Sequence, residues 1–216
     1  MHKNAIIFGD SYSTFSGHIA KNCATYYTHK IEGGRGGTGV IDVTQTWWHM
    51  LCSELGLNLV MNNSWSGSPI CYTGYNNSDC SATSSFIYRL RTLIAEGFFA
   101  DKEIDTVFIF GGTNDNWANV PLGEPKFSDW EESELYNVLP AICCFISLAR
   151  ETFPNAKIYC LINTGLKDAV TDCMKEACKR YDCIPVTFRK IHKTSGHPNV
   201  WGMKDIKNAV LEAMKQ

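Results

Sequence analysis

Four residues are of types that together perform acyl transfer, and each falls in a loop at the edge of a strand-like segment. Ser11 lies in Phe8-Gly9-Asp10-Ser11-Tyr12-Ser13, directly behind the apolar run Ala5-Ile6-Ile7-Phe8. Gly67 lies in Asn63-Ser64-Trp65-Ser66-Gly67-Ser68, Asn114 in Gly111-Gly112-Thr113-Asn114-Asp115, and His197 in Gly196-His197-Pro198. A serine hydroxyl is a weak nucleophile at neutral pH and needs a base within hydrogen-bond reach. An exposed imidazole of near-neutral pKa can be that base. The Asn114 amide and the Gly67 backbone N–H are groups that can donate to a developing oxyanion. Each residue also has a plainer reading: Ser11 as a helix cap, Asn114 as a turn residue, Gly67 as a positive-φ turn. Their common placement favours chemistry.

The elements that must hold these residues alternate between short apolar runs and helical patterns. Strands are expected at Asn4–Phe8, Asn58–Asn62, Thr106–Phe110, Lys157–Ile162 and Ile184–Thr187. Helices are expected at Thr44–Leu55, Ser84–Glu96, Glu132–Thr152, Lys167–Arg180 and Met203–Lys215, with Pro140 either starting or kinking the third of them. Such alternation predicts a mostly parallel five-stranded sheet with helices on both faces, a three-layer α/β/α, flavodoxin-like fold. Long irregular stretches are expected at 10–42, 64–83, 113–129 and 189–201; loops of this length in a compact domain are usually functional. The 216 residues, without repeat or linker, read as one domain.

In family order and over nearly its whole length, the chain resembles the SGNH (GDSL-like) hydrolases. Gly9-Asp10-Ser11 is similar to the block that carries the nucleophile, Gly67 to the second-block glycine, and Gly112-Thr113-Asn114-Asp115 to the third block. His197 with Pro198 is similar to the last block. Gly74, in the same loop as Gly67, is the competing glycine. The resemblance implies Ser11 as nucleophile and His197 as base. The oxyanion hole would be the Ser11 and Gly67 N–H groups with the Asn114 side chain. One position departs from the family. The last block usually carries an aspartate three residues before the histidine, where this chain has Thr194. A backbone carbonyl or a distant carboxylate must then orient the ring, or activity is weak. His192 is expected to be a surface residue.

The expected activity is that of a serine esterase acting on a small-acyl ester, an O-acetylated sugar being one candidate. Transfer to another acceptor, thioester cleavage, and a catalytically silent carbohydrate-binding domain are the alternatives. Net charge is −2, which gives no reason to expect nucleic acid or an anionic membrane as partner. No cofactor or metal is expected. Gly34-Arg35-Gly36-Gly37-Thr38-Gly39 fits G-x-G-x-x-G but lacks the strand before and the helix after that a dinucleotide site needs. Cys173, Cys178 and Cys183 are spaced wrongly for zinc. The ten cysteines read as reduced core thiols, with a Cys71–Cys80 disulfide as the alternative. No signal peptide is visible, so a cytoplasmic location is expected unless a leader has been removed. Tyr12, Trp65, Tyr72, Tyr75, Trp117, Trp130 and Trp201 cluster in the loops, where they either form a local core or line a substrate site. Trp47 and Trp48 are expected in the core.

Overall fold

In the computed structural model, which describes residues 3–29 and 35–215, five strands form one parallel sheet. They are β1 (Asn4–Gly9), β2 (Asn58–Ser64), β3 (Thr106–Gly111), β4 (Lys157–Ile162) and β5 (Ile184–Thr187), in the spatial order β2-β1-β3-β4-β5. Parallel central strands are covered on both faces and therefore read as unbroken apolar runs. Ile6, Ile7, Phe8, Val107, Phe108, Ile109 and Phe110 are all fully buried.

Alternate residues of these strands feed two cores. Ile6, Phe8, Val107 and Ile109 pack with α2 (Phe86–Ala95), α4 (Val138–Thr152) and α5 (Asp168–Arg180). Ala5, Ile7, Phe108 and Phe110 pack on the other face with α1 (Trp47–Leu55) and α6 (Val200–Met214). This is the three-layer arrangement expected. Trp47 and Trp48 lie in the second core, at 0% and 4% exposure.

The chain leaves β1 toward one edge of the sheet and returns through β2 and α2 to place β3 on the other side of β1. Strand order reverses between β1 and β3, and ligands of open α/β sheets bind in the crevice beyond such a reversal. The loops carrying Ser11 and Asn114 both leave from it.

Several boundaries differ from expectation for local reasons. Helix α1 starts at Trp47 because Thr46 caps it, and a separate 3-10 turn, Val43–Gln45, precedes it. The segment Glu132–Thr152 divides into a 3-10 turn, Glu132–Tyr136, and α4, whose first turn contains Pro140 where no N–H is needed. Helix α6 begins at Val200, not Met203, since the Asn199 side chain accepts from the Trp201 and Gly202 N–H groups. The stretch 113–129, expected to be irregular, opens with a short helix, α3 (Thr113–Trp117).

All ten cysteines are free thiols and nine are buried, Cys71 and Cys80 among them. Gly34 lies outside the described residues, and Arg35–Gly37 forms a 3-10 turn. Among the described residues no helix is long and apolar enough to cross a membrane.

Candidate active site

Strand β1 ends in a tight junction. A side chain at Gly9 would collide with Ser64 and Ser13, so only glycine fits there. Asp10 follows, its N–H donating to the Phe110 carbonyl (3.2 Å) and its Oδ1 accepting from the Tyr12 N–H (3.0 Å). This caps a single 3-10 turn, Ser11–Ser13, and sets Ser11 at the carboxyl end of the central strand. Asp10 is fully buried and its Oδ2 has no hydrogen-bond partner among the described residues. Burial, aided by the nearby Asp115 charge and opposed by the Tyr12 N–H, pushes its carboxyl up to about 7.

His197 is carried by a small hairpin. The two-residue strands β6 (Lys193–Thr194) and β7 (His197–Pro198) pair antiparallel around Ser195-Gly196. Both turn residues have positive φ, +50° and +79°, the left-handed geometry of a two-residue hairpin turn. Tyr12 Oη donates to the Gly196 carbonyl (2.6 Å) and Tyr27 Oη to the Pro198 carbonyl (2.8 Å), which ties both ends of the turn to the β1 loop. His197 Nε2 lies 3.0 Å from Ser11 Oγ, across 186 residues of sequence.

No carboxylate bonds the other ring nitrogen among the described residues. Nδ1 faces the Ser195 carbonyl at 3.3 Å, so a backbone group occupies the place of an acid. Thr194 does not substitute: its hydroxyl accepts from the Asn199 amide at 3.2 Å. His192 pairs with Asp205 (Nδ1 to Oδ2, 2.6 Å), which accounts for it without His197. Aromatic rings surround the imidazole, with Tyr26 stacked on it, Tyr12 tilted and Trp117 edge-on. Burial lowers the His197 pKa to about 4; the Ser195 carbonyl opposes this, and the Arg35 and Lys193 charges add to it. Lys193 is held by Asn163 Oδ1 (3.0 Å) and by Thr164. The imidazole is therefore neutral, and able to take a proton, through most of the pH range.

The oxyanion candidates lie on two loops bound to each other. Gly67 occupies the third position of a turn closed by Ser68 N–H to the Trp65 carbonyl (3.1 Å), with φ at +86°. Among the described residues, no acceptor takes its N–H or that of Ser11. The competing Gly74 is excluded, because its N–H is spent on the Ser78 carbonyl (2.8 Å). Asn114, 3% exposed, donates from Nδ2 to the Ser68 carbonyl (3.0 Å) and accepts at Oδ1 from Tyr75 Oη (2.9 Å). These two bonds fix which way its amide faces. An amide nitrogen carries two N–H groups, so one remains for a ligand.

Three supporting residues were given no role by the sequence. Asp115 is buried and accepts from the Ile70 and Cys71 N–H groups (3.0 Å each), pinning the Gly67 loop to α3, just beyond β3. Arg89 is buried on α2; it donates to the Gly9 carbonyl (3.2 Å), Ser68 Oγ (3.2 Å), the Ser84 carbonyl (2.9 Å), Asn63 Oδ1 (2.5 Å) and the Asn63 carbonyl. Tyr26 lies in a loop without periodicity. The loop aromatics divide: Tyr12 and Tyr72 are buried, whereas Tyr75, Trp117 and Trp201 are exposed.

A serine, a neutral imidazole within hydrogen-bond distance and unspent N–H donors beside them can together perform nucleophilic acyl chemistry. The comparisons point the same way. The family model described as GDSL-like Lipase/Acylhydrolase matches residues 3–214. A protein from Bacteroides ovatus, named a GDSL-like lipase, is 37% identical, with 100% of this chain and 99% of that one covered and a TM-score of 0.90. A second, from Bacteroides uniformis and bearing the same name, is 37% identical with 99% and 96% covered and a TM-score of 0.89. An acetyl xylan esterase from Butyrivibrio proteoclasticus shares the fold at 14% identity, with 99% and 63% covered and a TM-score of 0.60. No curated protein sequence matches. The chain belongs to the GDSL-like lipase/acylhydrolase family.

Proposed function

We propose that the chain is a serine esterase that works through an acyl-enzyme, with Ser11 as nucleophile and His197 as base. The 3.0 Å contact between Ser11 Oγ and His197 Nε2 carries this reading. As Oγ attacks the ester carbonyl, its proton moves to Nε2. The carbonyl oxygen becomes an oxyanion held by the Ser11 and Gly67 N–H groups and by Asn114. The imidazolium then returns the proton to the leaving alkoxide, and the sequence repeats with water to release the acid. The three donors act only as charge develops, so they lower the barrier and not the substrate's ground state.

The substrate is a small-acyl ester, with an O-acetylated sugar favoured. Trp117 and Tyr75, exposed at the crevice, offer ring faces on which a sugar can stack. The Butyrivibrio esterase that shares the fold is named for acetyl xylan. The lack of a carboxylate at Nδ1 among the described residues favours one other reading, a silent carbohydrate-binding domain.

Labelling with a fluorophosphonate, followed by mapping of the modified residue, separates the two. The esterase reading expects the label on Ser11 and turnover of a chromogenic acetyl ester that falls by up to ~10⁶-fold in Ser11→Ala. Label on Ser13 or Ser66, or no turnover by the parent chain, defeats it.

A further inference from the structure

In the proposed mechanism, on which this inference rests, His197 becomes a cation twice per turnover. Its surroundings oppose that: the ring is largely buried, and Arg35 and Lys193 add positive charge nearby. The Ser195 carbonyl, at 3.3 Å, is a long and neutral partner. Closest of the surrounding rings is Tyr26, whose centroid lies 3.5 Å from that of the imidazole with the planes inclined by 6°. A cation over an aromatic face is attracted by the ring quadrupole, most strongly when both are desolvated.

We propose that Tyr26 stands in for the missing carboxylate, as a positioning residue that fixes the plane of His197 and stabilises the imidazolium through its π face. The placement of Tyr26 is built in. Its N–H donates to Thr14 Oγ1 (2.9 Å), one turn beyond Ser11. The Tyr27 ring packs edge-on against it (4.9 Å) while Tyr27 Oη holds the Pro198 carbonyl next to His197. Gly36, with φ at +63°, passes under the Tyr26 hydroxyl; a Cβ there would come within 2.8 Å of that oxygen. The same loop thus anchors to the nucleophile's turn and to the histidine's strand.

When Oγ bonds to the acyl carbon and its proton passes to Nε2, the new positive charge spreads over a ring already parallel to Tyr26. When the proton leaves with the alkoxide, the charge is gone and the stack is neutral again. The stabilisation is confined to the charged interval, so it acts on kcat and leaves KM alone.

The test replaces Tyr26 in the full chain by phenylalanine and by its mono-, di- and trifluorinated analogues, which keep the ring's size while stripping charge from its face. Tyr26→Phe is expected to retain kcat within about threefold, and the fluorinated series to lower it stepwise to about tenfold, with KM unchanged. A flat kcat across the series, in proteins of unchanged circular dichroism, overturns the proposal and leaves Tyr26 as packing. Failure of the underlying reading shows separately, as undiminished turnover in Ser11→Ala or His197→Ala of the parent chain.

Discussion

Lowering the pH from 8 to 5.5 will leave the proposed esterase activity almost undiminished. An ordinary histidine has its pKa near 6.5, and that of His197 is held at about 4 by burial together with Arg35 and Lys193, against the Ser195 carbonyl. Below its pKa the ring is protonated and cannot serve as base, so kcat/KM follows the neutral fraction of the free enzyme. At pH 5.5 that fraction is about 97% for a pKa of 4 and about 9% for a pKa of 6.5. The difference, about tenfold in rate, is easily read as acid released from a short-chain acetyl ester at substrate concentrations below KM. Asp10, beside Ser11 with a pKa of about 7, also titrates in this window, so the profile is taken in the parent chain and in Asp10→Asn. A step near pH 7 that disappears in the variant belongs to Asp10; the fall near pH 4 must persist in both. An acid limb centred near 6.5 in both proteins refutes the reasoning, because it means the imidazolium is solvated, paired with an acid, or held by its neighbours, Tyr26 included, as well as by water.

Three further outcomes follow from the geometry. Asn114→Ala should lower kcat by about 10²–10³-fold with little change in KM; a change confined to KM would make Asn114 a binding group. Arg89→Met removes the donor of five hydrogen bonds, four of them buried, so urea unfolding should show a loss of about 3 kcal/mol or more, and a loss below about 1 kcal/mol would contradict its bracing role. Asp10 has its folded pKa raised from 3.8 to about 7, so the stability it contributes is complete below about 4 and is lost as pH rises through about 7. Asp10→Asn, which mimics the neutral form, should therefore raise Tm relative to the parent at pH 8.5 and not at pH 4.5; a lower Tm at pH 8.5 would show that the carboxylate is stabilised by something else.

The sheet was legible because its central strands are buried on both faces. Ile6-Ile7-Phe8 and Val107–Phe110 carry no polar residue, and the glycines that follow them mark where each strand stops. Ser11 and Asn114 were then visible as candidates by type and position, two and three residues beyond a strand end. Other parts leave weaker traces. Strands β6 and β7 are two residues each, too short for periodicity, although Ser195-Gly196 is a turn dipeptide and could have revealed them. Arg89 sits on a helix beside Arg91, and nothing local distinguishes the buried arginine from the exposed one. Tyr26 meets His197 only through tertiary folding, since no short-range pattern links residues so far apart. A backbone carbonyl was one of the groups expected to face the imidazole, but which one could not be read, because a carbonyl has no letter in the sequence.

The serine and the imidazole are contributed by opposite ends of the chain, which has a consequence for timing. Ribosomes extend chains at about 5–20 residues per second, so 216 residues take roughly 10–40 s to emerge. Between the synthesis of Gly111 and that of His197, β1, β2 and β3 can already pair, yet no base exists for Ser11. In the proposed mechanism a nascent or truncated polypeptide is silent toward esters, and hydrolysis begins only once the last hairpin and α6 have docked. On that mechanism turnover reports the docking of the His197 hairpin onto the β1 loop, and a fragment ending before Lys193 should regain it when supplied with the missing C-terminal piece.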